Sequence, residues 1–344
     1  MFNISYIATN PIVGDSPKFT NLTNDIEYKV KFINQNTKEI NEQTCLPGQT
    51  IIGGKQYYIP WQIDVSVSSQ LIYSEKINLK NKVIFIKFDA FALGDNIAWI
   101  PYVEEFRKKH DCHIICSTFH NNLFNQVYPN IMFVAPNTKI DNVYAQYYIG
   151  THDIINTAYQ PSNYLNNPLQ KIASDILGLE FKEIKPKINI PNKKIEKLKK
   201  VCISPFASNR IKEWNVIGGW QTIINFLNSH GYEVVNISKE PCFYTNIINK
   251  CGNIPLENRI EDLLSCEFFI GVSSGLSWLA WALNIPVVLI SDITPIYHEF
   301  QSNVIRINNG MRKEIIYKEI EYPSSTNEVI NKVYSLLTNS TNCS

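Results

Sequence analysis

Residues 83–117 read VIFIKFDAFALGDNIAWIPYVEEFRKKHDCHIICS, and their pattern returns through most of the chain. The stretch begins with VIFIKF, a continuous apolar run that is typical of a parallel strand buried on both faces. After Gly94 the apolar residues recur at helical intervals, and the segment ends in the cationic run 107–110, which suits a helix C-terminus. Pro101 predicts that the regular helix begins only near Trp99. The run HIICS then reads as a second strand.

The same alternation continues on both sides of a polar segment. NNLFNQVY and IMFVA read as a short helix and a strand, and VCISPF, YEVVNIS, FFIGVS and PVVLIS read as later strands separated by amphipathic helices. This rhythm predicts open, mostly parallel sheets. The basic, proline-containing run at 185–200 is interpreted as a domain linker, with an exposed helix face as the alternative. We therefore expect two α/β halves that bind ligands in a cleft at the carboxyl ends of their strands.

Residues 1–80 have a different texture. EYKVKFI, QTIIGG, KQYYIPWQIDVSV and LIYSEKI alternate apolar and polar residues and are separated by turn compositions. This pattern predicts a small antiparallel β domain. The aromatic residues Tyr57, Tyr58 and Trp61 are expected in its core, with acceptor docking or self-association as the alternative use.

Composition narrows the function classes. The chain has 344 residues, enough for two or three domains, and its 32 basic and 31 acidic residues leave a net charge of +1. This balance disfavours general polyanion binding, although a compact basic patch would suffice for DNA. The longest apolar stretch, Trp278 to Ile290, is too short to cross a bilayer, and the first residues lack the pattern of a secretory signal. We expect a cytoplasmic protein without membrane insertion.

The eight cysteines and six histidines show no metal-ligand spacing. Cys112 and Cys116 lie four residues apart in a strand-like run, which places them on one face. Buried, reduced thiols are the preferred interpretation, and a metal site or a disulfide framework is the alternative.

Asp95 is the first residue with a candidate chemical role, because it follows Gly94 where a strand leads into a helix. One interpretation is an N-cap of the helix. The other is a carboxylate exposed at the mouth of the sheet, where it can accept a proton from a hydroxyl group. Sequence physics alone favours the cap.

The loop SNRIKEWN after the strand VCISPF contains Ser208, Asn209, Arg210 and Lys212. Donors of this kind beside a strand end suit a diphosphate, and Lys212 would offset the charge that grows on a leaving group. A solvated loop without such a role is the alternative.

The run FFIGVSSGLSWLAWAL leads a strand through Ser273, Ser274 and Gly275 into a helix. A helix start of this kind presents free N–H groups to an anion, and Gly275 allows a close approach of the backbone. The pattern is neither a Walker P-loop nor G-x-G-x-x-G, so it is a weak signal by itself. Trp278, Leu279 and Ala282 are expected in the core.

In this order, the three segments resemble the heptosyltransferase family of GT-B glycosyltransferases, and within it the bacterial autotransporter heptosyltransferases. Three groups of segments carry the likeness. The first is KQYYIPWQIDV, and the second is ALGDNIAWIPYVEEFRKKH with ICSTFHNNLF. The third is SNRIKEWN with ISKEP and NIPLENRIEDLLSCEFFIGVSSGLSWLAWALNIPVVLIS. The resemblance implies a GT-B-like pair of Rossmann-like domains behind an N-terminal β-rich domain. It implies a β-rich domain at 1–80, an acceptor-side domain at 81–190 and a nucleotide-sugar donor domain at 191–344.

The resemblance also implies site residues. Asp95 is the expected general base in an acceptor and sugar loop that includes Gly94 and Asn96. Lys212 is expected to bind the donor phosphates. The other expected donor-binding positions are Ser208, Ser273, Ser274, Gly275, Leu276 and Ser277. The family inverts the anomeric configuration without a metal at the reaction centre and uses a nucleotide-diphosphate sugar as co-substrate, with no other cofactor.

Two departures from the family qualify these expectations. Ser273-Ser274-Gly275 stands where many lipopolysaccharide heptosyltransferases have Asp-Thr-Gly, which favours the autotransporter branch. That branch has an iron-binding cysteine cluster near its C-terminus, whereas this chain has no cysteine after residue 266 until Cys343, which predicts no iron site.

ADP-heptose and a protein hydroxyl are the leading donor and acceptor. The alternative donor is another nucleotide sugar, and the alternative acceptors are a glycan, a lipid-linked sugar or a hydroxylated DNA base. A homo-oligomer is possible. The alternative function is a non-catalytic nucleotide-binding scaffold.

Overall fold

The computed structural model describes residues 1–6, 16–151, 158, 160–163, 167–292, 294, 297–307 and 324–341. As far as they are described, residues 1–91, 99–164 and 170–184 form one compact unit. Residues 92–98, 165–169 and 185–344 form the other. Helix α1 (Leu93–His110) therefore contributes its first turns to the second unit and the rest to the first.

Two antiparallel sheets make up the N-terminal part of the first unit, as the alternating pattern predicts. One has the order β1-β2-β5 and consists of β1 (Phe2–Ser5), β2 (Lys18–Asn21) and β5 (Thr50–Ile52). The other has the order β4-β3-β6-β7 and consists of β3 (Tyr28–Asn34), β4 (Ile40–Cys45), β6 (Trp61–Val67) and β7 (Gln70–Lys76). Trp61 is buried, as expected, whereas Tyr57 and Tyr58 are half-buried. Strands β1, β2 and β4 were not predicted.

A four-stranded parallel sheet with the order β10-β9-β8-β11 completes the first unit. Its strands are β8 (Val83–Phe88), β9 (His113–Ser117), β10 (Ile131–Val134) and β11 (Ala145–Ile149). Helix α2 (Leu169–Ile176) follows in the chain. The sequence predicted β8, β9 and β10 but missed β11 and α2.

Helix α1 corrects two expectations. It begins at Leu93 rather than near Trp99, and Pro101 lies inside it. A proline in a helix interior costs about 3 kcal/mol, but residues 96–103 are all buried, so packing of this segment offsets the missing hydrogen bond. The segment NNLFNQVY was predicted as a short helix and forms only a 3₁₀ turn at Asn121–Leu123.

The second unit is built on a six-stranded parallel sheet with the order β14-β13-β12-β15-β16-β17. Its strands are β12 (Lys200–Ser204), β13 (Glu233–Asn236), β14 (Ile248–Asn249), β15 (Phe268–Val272), β16 (Val287–Ile290) and β17 (Val304–Ile307). The helices are α3 (Gly219–Ser229), α4 (Leu256–Leu264), α5 (Gly275–Ala282) and α6 (Thr326–Thr341). In chain order the strands run 3-2-1-4-5-6, the Rossmann arrangement. The predicted α/β fold is confirmed.

The predicted linker contains no helix or strand between residues 185 and 199, and β12 begins at Lys200. Pro186 and Ile188 in this run are nevertheless buried, so part of it is packed against the fold. The exposed-helix interpretation is wrong for these residues. The domain boundaries after residues 80 and 190 stay predictions.

Seven cysteines lie in the described residues and all are free thiols, six of them buried. This confirms the preferred interpretation for those seven, while Cys343 lies outside the described residues. None of the described helices combines the length and the apolar character that a membrane crossing requires.

Candidate functional site

The six-stranded sheet of the second unit reverses its strand order between β12 and β15. Parallel sheets bind ligands at such a switch point. Ser204 at the end of β12 pairs with Gly271 of β15, so the loops that follow the two strands start side by side. One loop leads to Ser208 and Lys212, and the other begins at Ser273. Two of the three predicted segments therefore flank the switch point.

The loop after β12 forms a short 3₁₀ turn at Arg210–Lys212. The Asn209 side chain caps this turn, because its Oδ1 accepts a hydrogen bond of 3.2 Å from the backbone N–H of Ile211. Ser208 is exposed and Lys212 is half-buried. Of the two cations in this loop, Lys212 is therefore better shielded from solvent than Arg210, which is exposed.

A cavity of about 520 Å³ opens beside this loop within the second unit. Its lining includes Phe206, Ser208, Arg210, Glu240, Phe243 and Tyr244. Aromatic rings, a cation and a carboxylate in one cavity suit a nucleoside, because a ring can stack on a base and a carboxylate can accept hydrogen bonds from ribose hydroxyl groups.

The serines after β15 use their hydroxyl groups within the protein. Ser273 Oγ donates a hydrogen bond of 2.6 Å to Glu299 Oε1, and Ser277 Oγ donates one of 2.6 Å to the carbonyl of Val272. Ser274 stands at the N-cap of α5 but makes no side-chain capping bond. What the loop can offer an anion is therefore the backbone N–H groups of the first turn of α5, which have no acceptor inside the helix.

A buried ion pair supports this loop, and sequence analysis missed it. Arg306 Nη1 lies 2.6 Å from Glu299 Oε2, and the two side chains are 8% and 0% exposed. Burial alone would raise the pKa of Glu299, but His298 when it is protonated, the charge of Arg306 and hydrogen bonds from Ser273 and Arg306 hold it below its usual range. Arg306 also donates to Ser291 Oγ at 2.7 Å. Glu299 thus connects the turn at Ser273 to the β16–β17 side of the sheet.

The first turn of α1 meets the first turns of α5 closely. A Cβ atom on Gly94 would lie 2.9 Å from Cδ1 of Trp278, and one on Gly275 would lie 2.8 Å from Cβ of Leu93. Both glycines therefore permit the approach of the two helices, whereas the sequence analysis assigned Gly275 to contact with an anion. Trp278 is 3% exposed, which confirms its expected place in the core.

Asp95 lies in the first turn of α1, at the third helical residue, so the N-cap interpretation is wrong. The side chain is half-buried. Burial raises the pKa of Asp95 to about 6, and the positive charge of Lys212 lowers it in part. Asp95 and Lys212 are thus electrostatic neighbours, and the carboxylate is tuned towards neutral pH, where a general base is most effective.

Asn96 is fully buried, and its Nδ2 donates a hydrogen bond of 2.8 Å to the carbonyl of Ala92. This bond fixes the residue just before the helix. Asn96 therefore holds the first turn that carries Asp95.

The second unit brings most predicted site residues to one region: Gly94 and Asp95 on α1, Lys212 after β12 and Ser273 to Ser277 after β15. The residues that sequence reasoning missed are His298, Glu299, Arg306 and Glu240. Glu240 follows β13 in the stretch ISKEP, so its place after a predicted strand was a usable signal. The Glu299–Arg306 pair gave none, because its partners lie on a loop and an unpredicted strand.

Comparisons with known proteins agree with this geometry. The model of "Glycosyltransferase family 9 (heptosyltransferase)" matches residues 164–295. The autotransporter heptosyltransferase Aah of Escherichia coli is 32% identical over 288 residues, which are 80% of this chain and 74% of that protein. TibC of E. coli O78:H11, also an autotransporter heptosyltransferase, is 30% identical over 264 residues, 73% of this chain and 65% of TibC.

A crystal structure of TibC, described as a dodecameric iron-containing heptosyltransferase in complex with ADP-D-β-D-heptose, matches the fold. The TM-score is 0.84 at 23% identity, and the match covers 98% of this chain and 96% of that one. BimC of Burkholderia thailandensis, described as an inactive autotransporter heptosyltransferase, is 28% identical over 268 residues, 74% of this chain and 63% of BimC. The chain thus spans just under two thirds of the length of TibC and BimC.

The iron of TibC prompts a test of the residues present here. Within the described residues, no group of three or more His, Cys, Asp or Glu side chains could hold a metal ion. The undescribed segment 308–323 contains no cysteine. The residues that the structure describes do not fit an iron ion. The absence of an iron site in the whole chain stays a prediction.

Proposed function

The chain belongs to the heptosyltransferases of glycosyltransferase family 9, and we propose that it transfers heptose from ADP-heptose to a hydroxyl group of a protein acceptor with inversion at the anomeric carbon. The observation that carries this proposal is Asp95, a half-buried carboxylate beside Lys212 with a pKa of about 6. At pH 7 such a carboxylate is mostly ionised and still basic enough to accept a proton from a hydroxyl group.

In the proposed reaction, Asp95 takes the proton of the acceptor hydroxyl as its oxygen attacks the anomeric carbon. The new oxygen–carbon bond forms on the face opposite the bond to the diphosphate, and that bond breaks with its electron pair on the leaving ADP. One displacement of this kind inverts the anomeric configuration. Transition-state charge thus grows on the diphosphate, away from Asp95.

Lys212 and the first turn of α5 are placed to stabilise that leaving diphosphate. Lys212 contributes a full positive charge, and the helix start contributes N–H groups and the positive end of a dipole. These groups supply the stabilisation that a divalent ion gives in other transferases, so the proposed reaction is independent of metal. The cavity at Phe206 and Glu240 would hold the nucleoside.

Heptose is proposed as the sugar, because TibC is described with ADP-heptose. A protein acceptor is proposed by analogy with the autotransporter heptosyltransferases, and a homo-oligomer by analogy with dodecameric TibC. A cytoplasmic location is proposed from the sequence pattern alone. Another nucleotide sugar, with a glycan or a hydroxylated DNA base as acceptor, is the variant of this proposal that the same assay can detect.

A non-catalytic scaffold is the second candidate function, and one observation favours it: a 28% identical relative, BimC, is described as inactive. The fold alone therefore does not guarantee activity. The raised pKa of Asp95 and the electrostatic influence of Lys212 on it favour catalysis, since a scaffold needs neither.

The test uses the purified chain with ADP-heptose, UDP-glucose and GDP-mannose, an acceptor protein of the autotransporter class, and a readout of released nucleoside diphosphate. Wild type is compared with Asp95→Asn, Lys212→Ala and the exposed control Asp25→Asn. We expect ADP-heptose to turn over, Asp95→Asn to bind the donor but lose about 10²- to 10⁴-fold in rate, and Lys212→Ala to bind it more weakly. Donor binding without release by wild type would support the scaffold, and no nucleotide binding at all would refute the donor site.

A further inference from the structure

His298 is a half-buried histidine next to Glu299, and the proposed reaction does not use it. Its Nδ1 atom is buried and has no hydrogen-bond partner among the described residues. A buried polar atom without a partner is unfavourable, so an orphan nitrogen next to Glu299, which bonds to Ser273 in the turn before α5, indicates a group that a ligand satisfies.

The backbone on both sides of His298 is held in place. Its carbonyl accepts a hydrogen bond of 2.9 Å from the N–H of Leu169, and Arg306 Nη2 donates one of 3.2 Å to the carbonyl of Phe300. The next residue, Glu299, is locked between Ser273 and Arg306. The imidazole is therefore attached to the same network that supports the turn before α5.

One ring nitrogen of His298 makes a hydrogen bond within the protein, and the other has no partner among the described residues. The carbonyl of Asn167 accepts a hydrogen bond from the ring, and because Nδ1 has no partner, this bond is assigned to Nε2. In the neutral ring this leaves Nδ1 as a bare acceptor. The partner that completes it must be a donor, which excludes the oxygens of an ionised diphosphate and fits a hydroxyl group.

Burial is the main reason that the ring of His298 favours its neutral form. Burial lowers the pKa of His298 from its usual value, Glu299 and the Asn167 carbonyl raise it in part, and Lys212 and Arg306 lower it further. The positive charge of Lys212 lowers the pKa of both His298 and Asp95. Glu299, the neighbour of His298, accepts a hydrogen bond from Ser273 in the turn before α5.

We propose that Nδ1 of His298 accepts a hydrogen bond from a hydroxyl group of the donor sugar and so selects the sugar in the pocket. This inference rests on the proposed function, because it needs a nucleotide sugar with its diphosphate at Lys212. It assigns sugar recognition to a residue on the loop after β16, separate from the phosphate ligands.

The test compares the dissociation constants of ADP-D-β-D-heptose and ADP by calorimetry, without acceptor. His298→Gln keeps an amide donor near the position of Nε2 but has no acceptor at the position of Nδ1. His298→Asn places an amide oxygen at the position of Nδ1. His113→Gln, at an exposed histidine of β9, is the matched control.

We expect His298→Gln to weaken ADP-heptose binding by about 2- to 10-fold, the effect of one hydrogen bond, with ADP binding unchanged. His298→Asn should recover most of the loss, and His113→Gln should match wild type. If His298→Gln keeps the wild-type ratio of the two affinities, or lowers both equally together with the melting temperature, the residue is structural and the inference is wrong. If wild type binds neither ADP nor ADP-heptose, the proposed function itself has failed.

Discussion

Replacement of Asp95 by asparagine should lower the catalytic rate by about 10²- to 10⁴-fold and stabilise the protein at neutral pH. The unfolded chain ionises Asp95 near pH 3.8, whereas burial raises the pKa in the folded state to about 6. Between these values the folded state holds more protons than the unfolded state, so this group lowers the free energy of unfolding as the pH rises. The full cost, reached above pH 6, is about 3 kcal/mol.

Asparagine has nearly the same shape and no charge, so it removes this cost. The variant should exceed wild type by about 3 kcal/mol at pH 7.5 and by about 1 kcal/mol at pH 4.5. Urea unfolding followed by tryptophan fluorescence suits the measurement, because the second unit contains four of the six tryptophans: Trp214, Trp220, Trp278 and Trp281.

The exposed control Asp25→Asn should stay within about 0.5 kcal/mol of wild type at both pH values. A stabilisation by Asp95→Asn that is equal at pH 4.5 and 7.5, or a loss of stability at pH 7.5, would refute the raised pKa. The general-base proposal would then lose the observation that carries it.

Three further changes test the site. The value of kcat/KM should rise about tenfold per pH unit below pH 6 and level off above it. Lys212→Gln should shift this rise to higher pH, whereas the exposed control Lys194→Gln should leave it in place. A rise that levels off near pH 4 would contradict the raised pKa of Asp95. Gly94→Ala should lose about 1–3 kcal/mol in urea unfolding, because its Cβ would lie 2.9 Å from Cδ1 of Trp278; an unchanged midpoint contradicts the close approach. Glu299→Gln should lower the free energy of unfolding by about 3–5 kcal/mol, because it leaves Arg306 buried without its charge partner. The added change Arg306→Met should restore most of this loss. Equal stability of the single and double variants would contradict the buried pair.

The regular parts of the fold were predictable where a strand of the second unit is a short apolar run with clear flanking turns, as in β12, β15 and β16. FFIGV and VVLI are buried at every position, so their composition alone marks them as central strands. Strand β17 was missed because VIRI contains Arg306, a charge that propensity reasoning places outside a sheet. Its guanidinium pairs with Glu299 inside the fold, and the sequence offers no sign of that pairing.

The start of α1 was misplaced for a related reason. Pro101 disfavours a helix locally, but Ile97, Trp99 and Val103 around it are fully buried, and their packing outweighs the lost hydrogen bond. Propensity is a local quantity, whereas packing depends on partners far away in the sequence. The same limit hid the role of Gly94, whose contact with Trp278 joins segments more than 180 residues apart.

The sequence pointed to the residues of the candidate site, but it did not show which of their atoms make hydrogen bonds within the protein. Strand ends and helix starts pointed to Asp95, Lys212 and the run at Ser273. Only the structure shows that the hydroxyl groups of Ser273 and Ser277 make internal hydrogen bonds. The proposed anion binding therefore relies on the backbone N–H groups at the start of α5.

The energetics of Asp95 also weigh on the choice between enzyme and scaffold. A carboxylate whose pKa is raised to about 6 by burial lowers stability at neutral pH, and asparagine or alanine would remove that cost. A scaffold gains nothing from such a group, and most substitutions there would be neutral or stabilising. An enzyme that must accept a proton near pH 7 requires it. The buried carboxylate beside Lys212 therefore favours catalysis in this chain, even though BimC, a relative with the same ancestry, is described as inactive.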